Sequence, residues 1–454
     1  MKLIYGVNDK PKFGQLIIFA IQQLLAIMTA TLVVPVIING ACGTTMSPAA
    51  ALFGAGVGTL VYVAFTQKKC PVFLGSSFAF INSMIAAFAG GVSMSLGFLG
   101  LIIGAIFAGL VYVVIAIIVK VAGVKWINKV MPVAVIGPTV AIIGLSLAGN
   151  AIGDICKGSV PGVEASPLLT VLCGVVTLII TIVCSTYGKK FGKLIPFIFG
   201  ILGGYALCAI FTAIGYAAGV DAMKILNVQP FIDLVADGVT LKTFLAVPDF
   251  TFFTAAGGLG ELNGAYVSTI AVAYIPVAFV VFAEHIADHK NISSIIEEDL
   301  LENPGLHRTL LGDGIGSMVG AIFGGCPNTT YGESVGCVAI TKNASVYTII
   351  TAAILAIVIA FISPFIAFVN SIPSCVMGGV CMALYGFIAV SGLKMVQEVD
   401  LNQNKNLFVV STILIAGIGG LTLNFGKITI TSIACALILG IIVNLVVSKA
   451  KDEE

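Results

Sequence analysis

From Phe13 to Val447 the chain is almost one apolar run after another, and each run is about as long as a bilayer is thick. A spanning α-helix needs roughly 20 mostly apolar residues. The string YTIITAAILAIVIAFI (347–362) is typical of the runs found here. In a bilayer every backbone N–H and C=O must be satisfied internally. Packed helices are then the expected fold, with irregular backbone only where protein or a cavity shelters it. Fourteen elements are expected, near 14–39, 47–66, 71–88, 93–120, 126–149, 167–187, 194–219, 265–289, 308–325, 328–343, 346–369, 373–392, 406–423 and 428–448. The fold class expected is therefore an all-α polytopic membrane protein. Charged residues make up 9% of the chain, against about a quarter in a soluble domain. A net charge of +1 argues against nucleic acid as a partner. The eleven cysteines lack the close-spaced pairs of a zinc ribbon or a disulfide framework, and read as small buried hydrophobes.

The basic residues orient the chain. With a cytoplasmic N-terminus, eighteen of the 22 lysines and arginines fall in inside loops and tails. Lys157, Lys224, Lys242 and Lys427 fall outside. This is the positive-inside bias, and it places a multi-pass protein in the plasma membrane with both termini cytoplasmic. The N-terminal string MKLIYGVNDKPKFG has charges and a proline ahead of the first apolar run, unlike a cleavable signal. The longest loop, 221–264, is expected outside, with room for a short amphipathic or extended piece.

The third and tenth elements are short and begin Cys-Pro. CPVFLGSSFAF (70–80) and CPNTTYGESVG (326–336) each run through extended-type residues to Gly75-Ser76-Ser77 or Gly332-Glu333-Ser334. Each is third in its half of seven, and seven is odd, so the halves have opposite orientations. Inverted repeats with helices interrupted at matching positions point to a midplane binding site of the kind secondary transporters use. Two half-helices aimed at one cavity offer free N–H groups and positive dipole ends. Cys-Pro and glycine also make tight surface turns, but the acid at 333 argues for the buried reading.

Glu284 follows a long uncharged run in AYIPVAFVVFAEHIADH, and an acid inside a membrane helix faces a bundle interior or a water-filled cavity. Asp288 lies four residues on and shares its face; the alternative places both acids in solvent at the cytoplasmic helix end. His285 and His289 stand i, i+4, and HIADH imitates the H-x-x-E-H zinc pattern. An intramembrane metal-dependent hydrolase is the different-class alternative, disfavoured by the want of a third ligand. The preferred reading puts His289 at the helix end beside Lys290 and His285 against another helix or a polar contact. Gln22, Gln23, Thr29, Ser77 and Tyr385 are further polar positions inside spans, and Gln22 is expected to hold helices together.

AEHI, DLLENPGLHR, PNTTYGESVGCVAIT, LGSSFAFI, ATLVVP and VMGGV…LYG together resemble the nucleobase–cation symporter (nucleobase–ascorbate transporter) family, and within it the branch that transports uracil. The likeness runs from about residue 11 to 448. It implies fourteen transmembrane segments as two inverted seven-segment repeats, with short antiparallel strands in segments 3 and 10. It implies a core domain from 11–122 and 265–370, and a gate domain from 123–220 and 371–449. An elevator-like motion of core against gate, in a homodimer, follows from it too. No cofactor is implied beyond a coupling ion, H+ or Na+. The partners are a small-molecule nucleobase and the lipid bilayer.

By position, the resemblance makes Glu284 the acceptor of the base's ring N–H groups. Phe78 and Gly332 supply backbone N–H groups to the ring carbonyls. Ala30, Tyr331 and Tyr385 line the pocket. Glu333 binds at the site and takes part in proton coupling, with Asp288 and Gln23 in the same coupling network. The chemistry suits uracil, whose edge alternates C=O, N–H and C=O, because carboxylates only accept and backbone N–H groups only donate. Three residues depart from the uracil-type pattern: Asp288 and Gln23 each stand where histidine is expected, and Ser334 where asparagine is. Asp288 matches purine-transporting relatives, so xanthine or urate transport is the alternative, as is sodium coupling. A sulfate-type anion carrier is disfavoured by acids at the interrupted helices.

Overall fold

A computed structural model describes residues 3–189, 191–236, 238–425 and 428–448. Lys2, Lys190, Lys427, Lys449 and Lys451, which enter the charge bias, lie outside the described residues.

Helix falls in every one of the fourteen apolar stretches. In chain order these helices are α1 (Phe13–Cys42), α2 (Pro48–Phe65), α3 (Ile81–Ala87), α4 (Met94–Ala122), α5 (Val133–Ser146), α6 (Pro167–Tyr187) and α7 (Pro196–Ala218). Then come α8 (Gly264–Ile296), α9 (Leu306–Gly324), α10 (Gly332–Thr341), α11 (Val346–Ile359), α12 (Ser374–Val396), α13 (Asn404–Ile418) and α14 (Ser432–Val447). Eight helices of the described residues are long and apolar enough to cross a membrane by themselves. The others are shorter or, like α9, less apolar. The chain is thus a multi-pass membrane protein.

The two Cys-Pro elements are interrupted. Strand β1 (Leu74–Ser76) leads through a 3₁₀ turn, Phe78–Phe80, into α3, and β2 (Asn328–Thr330) leads into α10. The strands pair antiparallel, Leu74 with Thr330, Gly75 with Thr329 and Ser76 with Asn328. Ladder bonds extend beyond them, from Ser77 N–H to Pro327 O at 2.9 Å and from Tyr331 N–H to Phe73 O at 3.2 Å. Each arm thereby satisfies the other's backbone, which is what lets extended chain sit buried in an apolar bundle. All six strand residues are buried.

Helix α9 packs against α2 and α4, while α12 packs against α5 and α6. The α2–α9 contact is made by small residues at four-residue spacing. A Cβ added at Gly54 would stand 2.3 Å from Gly320 O, and one at Gly58 would stand 2.7 Å from Gly316 O. Such faces let two backbones approach closely, the usual means of helix association in lipid.

Several boundaries differ from expectation. Helix α8 continues to Ile296 rather than stopping near 289. Asp288 and His289 are therefore not solvated residues at a helix end; they are 7% and 0% exposed. The eleventh stretch breaks at 360–362 into α11 and a short helix, Ser363–Ser371. The long loop 221–264 holds short helices at Gln229–Val235, Leu241–Phe244 and Thr251–Ala256. A pair of short strands, Leu423–Phe425 and Ile428–Ile430, joins α13 to α14, so the end of one expected span, 406–423, and the start of the next, 428–448, are extended and not helical.

Candidate functional site

Neither half-helix has a side-chain cap at its N-terminus. Ser77 and Tyr331 precede them in extended conformations. The first-turn N–H groups of a helix have no intrahelical acceptor and carry the positive end of its dipole. Both ends meet a cavity of about 340 Å³. Phe78 borders it from the first arm, and Tyr331, Gly332 and Glu333 border it from the second. Helix α8 supplies Glu284, Ala287, Asp288 and Asn291, the i, i+3, i+4, i+7 stripe of one helical face. The opposite wall comes from α5, α7 and α12 through Val140, Phe197 and Phe387. Lys193, the basic residue among the described wall residues, is exposed at its rim.

The two residues Glu284 and Glu333 are half-buried, while Phe78 and Tyr331 are buried. Asp288 accepts a hydrogen bond from Thr330 Oγ1 at 2.9 Å, so β2 is fastened directly to the acid-bearing face of α8. Tyr331 lies over the strand pair and donates its hydroxyl to Ser76 O at 2.8 Å. Gly332 leaves open space where a side chain would stand; the nearest atom to an added Cβ is Asp288 Oδ1 at 3.7 Å. Gly332→Ala should therefore fold normally, because its methyl fits. It should weaken ligand binding about tenfold by filling the cavity beside the half-helix N–H groups. Equal thermal stability with a raised dissociation constant is the expected pair of measurements.

The structure thus brings Phe78, Glu284, Asp288, Tyr331, Gly332 and Glu333 to one wall system. Ala30 and Tyr385 are buried but stand outside that wall. Tyr385 packs edge-on behind Phe78, with ring centroids 5.6 Å apart at 80°. Gln23 also lies behind the wall and donates its amide to Ser334 Oγ. That oxygen also accepts Phe73 N–H at 2.9 Å. Two of the three departures from the uracil-type pattern, Gln23 and Ser334, are thus each other's partners, and they join α1 to both arms. Gln22 has its amide oxygen buried without a partner, and holds no helix through it.

His285 and His289 point away from the cavity. His285 contacts Asp313 Oδ2 at 2.6 Å and Thr309 Oγ1 at 3.0 Å. His289 contacts His285 O at 2.7 Å and the Tyr62 hydroxyl at 2.6 Å. Among the described residues no group of three His, Cys, Asp or Glu is placed to hold a metal. Asp313 is not among the residues singled out in the sequence, although it lies within the expected element 308–325. An acid inside the apolar stretch after Arg308 was the available signal.

Apolar helices around an acid-lined cavity, fed by two interrupted elements, define a membrane transport protein. The chain belongs to the permease family, whose defining pattern matches residues 14–426. It is 36% identical to the uracil permease of Bacillus subtilis (strain 168) over 462 residues, covering 100% of this chain and 97% of the relative. It is 38% identical to that of Bacillus caldolyticus, covering 98% and 95%. Against that of Escherichia coli (strain K12) it is 36% identical, covering 99% and 96%. These are transporters rather than enzymes, which removes the hydrolase alternative. The fold is shared with the transmembrane domain of a cyanobacterium bicarbonate transporter, BicA, at a TM-score of 0.60 and 15% identity, covering 97% of this chain and 100% of that one. Murine Slc26a9, an anion transporter, matches at 0.63 and 8%, covering 97% and 69%.

Proposed function

We propose that the protein imports uracil in symport with a proton. The observation that carries this reading is the convergence of Glu284 with the two uncapped half-helix N-termini on one cavity. A carboxylate acceptor between backbone donors is the complement of the uracil edge. Phe78 and Tyr331 offer flat apolar surface to a planar ring. The near-full-length likeness to uracil permeases supports the same base. Fourteen segments in two inverted repeats, with a homodimeric assembly, complete the proposal.

Segments 1–4 and 8–11 form the moving core in this reading, and 5–7 and 12–14 the gate. The cavity lies between residues of both groups, as an elevator-like motion requires. Its exposed rim residues Lys193, Asn291 and Ile340 border stretches that the lysine bias assigns to the cytoplasm, so this conformation opens inward. Glu333 and Asp288 are the coupling groups, placed where a proton entering the cavity meets them beside the base.

Uptake of labelled uracil by vesicles should rise with an inward proton gradient and collapse with a protonophore. Uptake that ignores both and follows sodium would replace the proton by Na+. Competition by unlabelled bases should rank uracil first. If xanthine or urate ranks first, Asp288 marks the chain as a purine carrier.

A further inference from the structure

Helix α8 carries two stripes about 100° apart. Glu284 and Asp288 face the cavity, and His285 and His289, one position later, face α9 and α2. On α9 the meeting residues are Thr309 and Asp313, again i, i+4. The histidine rings stack 3.9 Å apart, and the Tyr112 ring of α4 stands edge-on to His285 at 6.0 Å. His285, His289, Thr309 and Asp313 are fully buried.

The hydrogen bonds fix where the protons are. Thr309 has one hydroxyl proton, and donates it to Leu306 O at 3.0 Å. Its oxygen must therefore accept from His285, so His285 Nε2 carries a hydrogen. The 2.6 Å contact between His285 Nδ1 and Asp313 Oδ2 then needs one more proton, on either the nitrogen or the oxygen. Without it, a ring lone pair would face a carboxylate in a fully buried site, and two buried acceptors would repel. His289 donates Nδ1–H to the carbonyl of His285 and so accepts from Tyr62. The Nε2–H of His285 leads through Thr309 to Leu306 O and the Nδ1–H of His289 leads to His285 O, and neither carbonyl can pass a proton on. Tyr62, bonded in turn to Cys70, meets His289 and not the Asp313–His285 contact. Asp313 Oδ1 has no hydrogen-bond partner. The other titratable groups near the pair are Tyr62 from α2 and Tyr112 from α4, with Glu284 and Asp288 on the cavity stripe of α8.

We infer that Asp313 and His285 form a proton-locked brace: one proton stays between them throughout transport, and the bond holds α8 in the rotation that aims Glu284 and Asp288 into the cavity. Asp313 is thus a positioning residue, and its proton is not the transported one. This rests on the reading of Glu284 and Asp288 as the groups that face the substrate.

Asparagine at 313 can donate its amide hydrogen to Nδ1 without a titratable proton, and leucine cannot. Asp313→Asn should keep uracil affinity within about threefold of the parent and leave the pH midpoint of uptake unmoved. Asp313→Leu should lose about tenfold or more in affinity. Thr309→Val, a milder variant for the case that Asp313→Leu does not fold, should lose at least about threefold because His285 loses its acceptor. A shifted pH midpoint in Asp313→Asn would make this a mobile coupling proton and overturn the inference. Parental affinity in Asp313→Leu or Thr309→Val would overturn the brace. Glu284→Gln leaves the pair intact: parental affinity there sinks the site reading, whereas weak binding there with parental Asp313→Leu sinks only the brace.

Discussion

Glu284→Gln should bind uracil roughly 10- to 100-fold more weakly than the parent. A hydrogen bond to a charged group contributes about 1.5–3 kcal/mol net, and about 1.4 kcal/mol is tenfold in affinity. The carboxylate offers only acceptors, so both of its oxygens suit ring N–H groups. Glutamine replaces one oxygen with a donor, and a donor aimed at a ring N–H repels it. The exchange is nearly isosteric, so packing of α8 should survive, and thermal stability in detergent should stay near the parental value. Binding is best read directly, by equilibrium retention of labelled uracil on purified protein, because uptake mixes affinity with coupling. Glu333→Gln separates the two. It should keep more of the binding than Glu284→Gln while losing accumulation against a gradient. Equal affinity in parent and Glu284→Gln would remove Glu284 from the site.

The interrupted elements were legible because Pro and Gly in an apolar run leave few alternatives, and because the two strings repeat at matching positions. From the residues alone their partnership was legible only as symmetry, and the antiparallel strands came with the family resemblance. The register, Gly75 opposite Thr329, depends on which side chains fit between the arms. The depth of Asp288 and His289 was misjudged for a definite reason. Hydropathy falls at Lys290 and Asn291, so composition ends the span there, yet α8 continues to Ile296 beside neighbours that keep Ile292 buried. A helix ends where its backbone bonds end, and a polar stretch does not end them. Asp313 lies inside the expected span 308–325, but nothing local in LLGDGIG names its partner. In the fold, Gly312 and Gly314 sit within α9 against Tyr62 and Tyr112, and allow the close packing that encloses the acid. His285 read as a residue facing another helix, which it does, but its partner lies 28 positions away. No local pattern encodes that distance.

Gly75→Ala should abolish transport, by an effect opposite in kind to that of Gly332→Ala. A Cβ at 75 would lie 2.3 and 2.4 Å from Cε2 and Cζ of Tyr331, inside any tolerable contact. The ring cannot easily retreat. It is 3% exposed, its hydroxyl is bonded to Ser76 O, and its backbone N–H is bonded to Phe73 O. Overpacking of this kind costs about 1–3 kcal/mol where the surroundings relax. Here relaxation means moving Tyr331 toward the cavity or parting β1 from β2. Either movement displaces Gly332, the next residue, and with it the N–H groups at the start of α10. Stability and binding should therefore fall together: a lower melting temperature, and loss of uracil retention of about a hundredfold or more if the ring enters the cavity. A methyl at Gly332 should change binding alone. A Gly75→Ala protein with parental melting temperature and affinity would mean that Tyr331 does not cover the strand pair. In that case the junction of strand and half-helix would not set the position of the base.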